Sequence, residues 1–366
     1  MKVILVDIVP HGTPQEDYDE RMIELENLAS TYWSIVVLKR IQKRDMPDYR
    51  TFVWSWKLEE IMNLWNELWA EVVIIWNILK PKQIYNINEL FEKSKSKLKA
   101  WDRVDLILKI FSIHANSPEA KLQIELASIK HMWPRIFWMW MELSRQWWWI
   151  WTSGIWETNT EIMKRHLREK EKKILEKLEV YKKTREVHRQ SRKRKNFKTI
   201  WIVGYTNAWK SCLMNSLTRK WVLSEDKLFA TLWTNVWKFY IEQEDWVWNE
   251  YLLNDTIWFI RDLPPELIKA FSSTLEDSIE SDILLHVIDA ADRKVWDKIK
   301  IIDDTLSRIW ANQKKIYVFN KIDLIDDTTL NLLKVEYAYL NPVFISANDK
   351  IWFDQLKNLI LNSFNE

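Results

Sequence analysis

Apolar and polar positions follow three successive rhythms along this chain. Residues 1–9 form a short apolar run. Residues 16–32 are polar but carry Met22, Ile23, Leu25 and Leu28 at helical spacing, and 34–40 are apolar again. The exchange continues with a helix over 58–68, a strand over 71–75 and a helix over 81–93. Such alternation predicts a parallel sheet with covering helices. The second rhythm is helical throughout. Residues 118–144 place Leu122, Ile124, Leu126, Ile129 and Met132 at helical spacing, with Pro134 a possible kink point. Residues 161–195 do the same with Ile162, Leu167, Ile174, Leu175, Leu178 and Tyr181. Read with glycines at its Trp positions, the stretch over 143–158 is a flexible loop, so the pair predicts an antiparallel helical hairpin with that loop at its tip. The third rhythm returns to strands, at 199–203, 237–242, 251–254, 283–289, 315–320 and 342–345, with helices in most gaps. His286 falls inside an apolar strand and reads as a satisfied core residue. The division predicted is an N-terminal α/β domain over 1–112, a helical hairpin over 113–197 and a second α/β domain over 198–366.

Composition changes how the turns are read. The chain has 26 Trp and 3 Gly. Ordinary usage, about 7% Gly, would give roughly 26 Gly in a chain of this length. The Trp letters sit where turns need glycine, as at Trp54 and Trp56, Trp246 and Trp248, and Trp147, Trp148, Trp149 and Trp151. A genuine Trp-Trp-Trp run between polar helices would be a large exposed apolar patch. Most Trp letters are therefore expected to stand for glycine, as when a UGA codon read as Gly by the cell is translated as Trp. The competing reading is a genuinely Trp-rich chain whose indoles stack on RNA bases.

Charge is nearly balanced at +2, but it is unevenly placed. Residues 157–198 hold 16 Lys and Arg against 7 Glu, a local charge of +9. Such an excess attracts a phosphate backbone without reading its sequence. A solvated helix face laced with ion pairs is the alternative, and the pairs Glu169–Lys173 and Glu179–Lys183 have the right spacing for it. The cluster over 189–195 contains no acid, which favours RNA contact there. The single Cys212 excludes an internal disulfide and fits a reducing cytoplasm. The six His show no metal-ligand spacing, no signal peptide is visible, and no uncharged apolar run reaches the length of a membrane span. A cytoplasmic monomer is expected.

The candidate chemistry lies in the third region. Gly204, Tyr205, Thr206, Asn207, Ala208, Trp209, Lys210 and Ser211 match the phosphate-loop pattern GxxxxGK[ST] between a strand and a helix, with Trp209 on the second glycine. Backbone N–H groups of such a loop form an anion nest, Lys210 neutralises the outer phosphates, and the Ser211 hydroxyl binds Mg2+. Asp255, Thr256, Ile257 and Trp258 read as DxxG if Trp258 is glycine, with Asp255 holding Mg2+ through water. Thr231, within Phe229, Ala230, Thr231, Leu232 and Trp233, lies where a switch threonine reaches the same Mg2+. Asn320, Lys321, Ile322 and Asp323 close another strand, and the Asp323 carboxylate can accept from guanine N1–H and its 2-amino group. Ser346 and Ala347 close the last strand, where main-chain groups can meet guanine O6. In this order, the motifs predict a Ras-like P-loop GTPase domain. Lys210, Thr231 and Asp255 are the candidate catalytic groups, with Ser211 and Thr231 on the metal.

The resemblance then extends beyond this domain. Lys43, Arg44, Asp45, Pro47 and Asp48, the stretch Thr51 to Lys57, Glu119 to Gln123, and Leu143 to Gln146 with the Trp-rich run are similar to the HflX family of translation-factor-class GTPases. In the nucleotide domain Gly204 to Ala208, Asp226 to Leu232 and Asp255 to Pro264 carry the same likeness. Trp54, Trp56, Trp147, Trp148, Trp149, Trp151, Trp209 and Trp258 all fall on family glycines. The resemblance implies GTP and GDP as ligands with Mg2+, and a protein that binds the large ribosomal subunit and splits stalled or idle ribosomes. It also implies rRNA contact through the hairpin. Asn207 matches an Asn that some related GTPases use to hold a monovalent cation, which adds K+. Phe259 stands where Ras-like enzymes carry a water-positioning Gln, so slow intrinsic turnover is expected. If Trp209 and Trp258 are genuine, the alternative is a nucleotide-dead RNA- or ribosome-binding protein. The loop over 53–57 would be a second anion nest or merely a flexible turn.

Overall fold

The computed structural model describes residues 1–115, 117–146, 153–194, 197–205, 208–218, 236–242, 248–255, 267 and 281–365. The chain forms two compact units, Met1–Ile113 with Lys121–Leu178, and His114–Ala120 with Glu179–Glu366. The elements are both helical and extended, as the alternation predicts. No described helix is long and apolar enough to cross a membrane.

The first unit begins with β1 (Lys2–Val9), α1 (Gln15–Thr31), β2 (Ile35–Lys43), α2 (Ser55–Leu68), β3 (Val72–Ile75) and α3 (Pro81–Lys93). Two further elements, β4 (Lys99–Asp102) and α4 (Arg103–His114), were not expected. β4 is only four residues long and opens on a lysine, so its pattern is too short to stand out. The four strands are all parallel, in the order β2-β1-β3-β4. Ile4, Val6, Val73 and Ile75 point into one core with Leu58, Ile61, Ile84, Ile87 and Phe91 of the covering helices.

α5 (Pro118–Gln146) and α6 (Ser153–Arg194) make the hairpin. Pro134 lies inside α5. Leu122, Leu126 and Ile129 meet Leu167, Ile174 and Leu178 in a small apolar seam. Lys170 pairs with Glu125 and Arg185 with Glu119, so one helix runs against the other. Of the expected tip loop over 143–158, residues 143–146 and 153–158 are helical. α5 continues to Gln146 and α6 already begins at Ser153, while Trp147, Trp148, Trp149 and Trp151 lie outside the described residues. Two long helices gain a hydrogen bond for each residue they add, which overrides weak local propensity at their ends.

A buried ion cluster seats α5 on the sheet of this unit. The Arg135 guanidinium reaches Asp105 Oδ2 at 2.6 Å and Asp102 Oδ2 at 2.5 Å. His131 Nε2 lies 3.1 Å from Asp105 Oδ1 and 3.5 Å from Asp102 Oδ1. The two carboxylates also cap α4 reciprocally, each accepting the other's main-chain N–H. Burial raises the Asp105 pKa, but His131 and Arg135 outweigh it and hold the group down at about 2. Burial likewise opposes a charged His131, yet its hydrogen bonds to Asp102 and Asp105 raise its pKa above the ordinary value.

The second unit carries β5 (Lys198–Gly204), α7 (Lys210–Thr218), β6 (Val236–Glu242), β7 (Trp248–Asp255), β8 (Ile283–Asp289), α8 (Val295–Arg308), β9 (Lys314–Asn320), α9 (Asp327–Glu336), β10 (Val343–Phe344) and α10 (Phe353–Asn365). Its sheet runs β10-β9-β8-β5-β7-β6, with only β6 antiparallel among these pairings. Apolar residues of β5, β8 and β9 bury on both faces, which is why these strands read as nearly continuous apolar runs.

Several turns rest on residues in the left-handed region. Trp33, Trp69, Trp209, Trp310 and Trp352 have φ between 54° and 63°. Three of them follow helices in one geometry. Trp33 N–H donates to Ser30 O and Ser34 N–H to Ala29 O; Trp310 and Ala311 repeat this on Ser307 and Leu306, and Ala70 donates to Trp65 O beyond Trp69. These are the reversed-turn helix ends in which glycine is the usual left-handed residue. The three indoles are 60%, 75% and 79% exposed, so burial offsets little of the backbone cost.

Candidate guanine-nucleotide site

The carboxyl edge of the second sheet gathers the polar motifs. β5 ends at Gly204, where an added Cβ would lie 2.5 Å from the main-chain oxygen of Val287 on β8. Only glycine permits that approach. Ala208, buried, donates its N–H to Tyr205 O at 3.3 Å and closes the turn. Trp209 has φ of 57°, and its carbonyl accepts the Leu213 N–H at 3.0 Å, the first turn of α7. Lys210 opens that helix, and its Nζ donates to the carbonyls of Gly204 at 2.8 Å and Tyr205 at 2.9 Å. Its ammonium is thus held over the loop, and Ser211 stands beside it in the first turn. A helix N-terminus with a lysine held over its entry loop is a strong anion site.

The base side is built from two neighbouring strand ends. Asn320, without exposed surface, donates through Nδ2 to Ala208 O at 3.2 Å and accepts the Ala347 N–H at 2.9 Å. Ser216 Oγ donates to Ala347 O at 2.9 Å from α7. Ser346 is fully buried, and its Oγ accepts the Asp349 N–H at 3.1 Å. Lys321 is left-handed, with φ of 66°; its Nζ pairs with Asp289 Oδ2 at 2.6 Å and lies 4.9 Å from the Trp209 ring centroid. Ile322 and Asp323 begin a 3-10 turn in which Ile322 is buried and Asp323 exposed. The structure therefore brings together Gly204, Tyr205, Ala208, Trp209, Lys210, Asn320, Lys321, Ser346 and Ala347. Asp255 ends β7 in register with Ile202. Thr206, Asn207, Phe229, Ala230, Thr231, Leu232, Trp233, Thr256, Ile257 and Trp258 lie outside the described residues.

Two features were not read from the sequence. Asp289, which anchors Lys321, ends β8 opposite Asn320, and its signal was its place at a strand end in the same register. His286 is buried as expected, but it is not satisfied: neither ring nitrogen reaches a hydrogen-bond partner, and Asp303 Oδ1 is 4.0 Å from Nδ1. Burial lowers its pKa to about 4, which keeps the imidazole neutral.

A phosphate loop between strand and helix, with an Asn-Lys-x-Asp turn and a Ser-Ala turn on adjacent strand ends, defines a P-loop guanine-nucleotide domain. Comparison with known families agrees. Residues 19–112 match the GTP-binding GTPase N-terminal model, 114–192 the GTP-binding GTPase middle region, and 199–321 the 50S ribosome-binding GTPase model. GTPase HflX of Caldanaerobacter subterraneus subsp. tengcongensis is 38% identical over 98% of this chain and 79% of its own length. GTPase HflX of Escherichia coli K12 is 35% identical over 97% and 81%. A solved structure described as the SsGBP–GDP complex matches 99% of this chain and 98% of its own at 26% identity, with a TM-score of 0.56. A GTP-binding protein of Sulfolobus solfataricus in complex with GDP gives 26%, the same coverage and a TM-score of 0.51. The chain belongs to the HflX family of GTPases.

Proposed function

We propose that this chain is a guanine-nucleotide switch that binds the large ribosomal subunit and splits or rescues ribosomes under stress. The observation that carries the nucleotide reading is the Asn320 amide, which joins the phosphate loop at Ala208 to the base-side turn at Ala347. That brace sets the distance between phosphate and base subsites before any ligand arrives. Lys210 and the N–H groups entering α7 hold the phosphates, and Asp323 selects guanine. The donor set fits Mg2+: Ser211 and Thr231 would hold it directly and Asp255 through water. Held there, Mg2+ would supply positive charge against the outer phosphates. Phe259 cannot orient water, so turnover stays slow until the ribosome supplies or orders the missing group. K+ beside Asn207 is part of the same proposal, and equal turnover in sodium and potassium would count against it.

Position 209 is the second glycine of the phosphate-loop pattern, where the backbone must approach the phosphates closely, and an indole on that backbone would crowd them. We infer that glycine stands at most Trp positions of the native polypeptide. The left-handed φ at Trp33, Trp69, Trp209, Trp310 and Trp352 supports this. An L residue in that region costs about 1–2 kcal/mol, and glycine has no such penalty. The buried indole nitrogens of Trp54 and Trp201, which lack hydrogen-bond partners, point the same way. Mass spectrometry of the native peptide spanning 199–210 tests it; intact Trp201 and Trp209 would sink the inference.

The ribosomal half rests on the matched family descriptions and on the basic α6. It is tested by sedimentation of the chain with purified large subunits and by GTP turnover with and without them. Comigration with GTP and a faster turnover are expected. Neither effect, with nucleotide binding intact, would contradict it. The domain division proposed is 1–112, 113–197 and 198–366, acting in a cytoplasmic monomer.

A further inference from the structure

Asp289 divides its carboxylate between two tasks. Oδ1 accepts the Ala291 N–H at 3.0 Å and so fixes the turn that follows β8. Oδ2 pairs with Lys321 Nζ at 2.6 Å. The ends of β8 and β9 are themselves joined, because Ala290 N–H donates to Asn320 O at 2.8 Å. The carboxylate is therefore anchored before it meets the lysine. The Lys321 side chain is only 6% exposed, so its ammonium is largely removed from water and Asp289 supplies the countercharge. The Trp209 ring also faces this ammonium, at 4.9 Å; glycine at 209 would remove it and leave more of the task to Asp289.

Lys321 is also where the backbone turns. Its φ of 66° and ψ of 36° lie in the left-handed region, which a lysine enters only against a steric cost. The turn leads directly into the 3-10 helix Ile322–Leu324, where Leu324 N–H donates to Lys321 O at 3.0 Å and Ile322 N–H to Ile345 O at 3.3 Å. Asp323 is carried on that helix and is exposed, so its direction follows the backbone beneath it. A strained backbone persists where its surroundings over-determine it, and the ion pair from β8 is one such constraint. We propose that Asp289 is a positioning residue for guanine selection: it holds the Lys321 ammonium, and the held lysine keeps the left-handed turn that presents Asp323 to the edge of the base. This role rests on the guanine-binding reading above and adds to base selection a residue outside the Asn-Lys-x-Asp turn.

The test is competition between GDP and inosine diphosphate, whose base lacks the 2-amino group, on the full chain in the Trp209→Gly/Trp258→Gly background. That parent should prefer GDP about tenfold, as expected for one hydrogen bond to a charged acceptor. Asp289→Asn keeps an oxygen for the Ala291 N–H but removes the charge, and the preference should fall to about twofold. Lys321→Met should shrink the preference equally, and the double variant should shrink it no further. If Asp289→Asn fails to fold, the ratio in Lys321→Met decides. Equal weakening of both nucleotides, with the ratio unchanged in the single variants, would overturn the positioning role and leave the guanine site standing. Additive losses in the double variant would mean that Asp289 acts apart from Lys321, and would overturn it as well. No GDP binding by the parent would overturn the guanine-binding reading and this role with it.

Discussion

The Asn320 side-chain amide donates to the Ala208 carbonyl at 3.2 Å from a site with no solvent exposure. Its oxygen accepts from Ala347 on the far side. Asn320→Ala would leave a buried N–H and a buried carbonyl unpaired, each worth about 1–3 kcal/mol. Urea unfolding of the nucleotide-free protein should show a loss of that order, and calorimetry in the Trp209→Gly/Trp258→Gly background should show weaker GDP binding. An unchanged unfolding midpoint would remove Asn320 from this bracing role.

Asp323 tests the base preference separately. It is exposed in the 3-10 turn after Lys321, so changing it should leave folding intact. In the Trp209→Gly/Trp258→Gly background, Asp323→Asn should weaken GTP and favour xanthosine triphosphate, whose 2-oxo group pairs with the new amide. Competition between the two nucleotides checks this, and an unaltered guanine preference would refute the assignment.

The Arg135–Asp102–Asp105–His131 cluster makes stability of the first unit depend on pH. The raised His131 pKa means that its contribution is complete below the ordinary 6.5 and fades as pH rises through the folded value. The Asp105 pKa is lowered to about 2, so its contribution is complete above the ordinary 3.8 and fades as pH falls through about 2. Both are in place between 3.8 and 6.5. His131→Gln should abolish the alkaline loss and keep the acid one, measured as hydrogen exchange of α5 against pH. An identical alkaline decline in the variant would assign it to another group.

The helix ends offer a test free of ligand. Trp33→Gly, Trp69→Gly and Trp310→Gly should each stabilise the chain by about 1 kcal/mol, because the left-handed penalty disappears and these indoles are mostly exposed. Thermal unfolding of the single and triple variants measures this. Destabilisation would mean that the indoles contribute packing which their exposure does not reveal.

Much of the fold was legible because its strands are apolar on both faces and its long helices keep their spacing. β8 and α3 fall at the expected residues, 283–289 and 81–93. β4 and α4 escaped because Lys99–Asp102 is brief and the apolar run in α4 lacks a clear polar face. The site was legible wherever chemistry follows local spacing, as at Lys210 and Asn320. It was not legible where pairing is set by sheet register, as for Asp289 with Lys321, or by approach of distant helices, as for Arg135 with Asp102 and Asp105. The expected tip loop was drawn too wide because glycines were read at its Trp positions, while α5 runs to Gln146 and Ser153 already lies in α6.

We propose that this chain binds guanine nucleotide through a phosphate loop with glycine at position 209. Isothermal titration of GDP and GTP into the sequence as written, and into its Trp209→Gly/Trp258→Gly variant, tests it most directly. Binding by the variant and none by the Trp form is expected, with the response lost again when Lys210→Ala is added. Equal binding by both forms, or none by either, would contradict it.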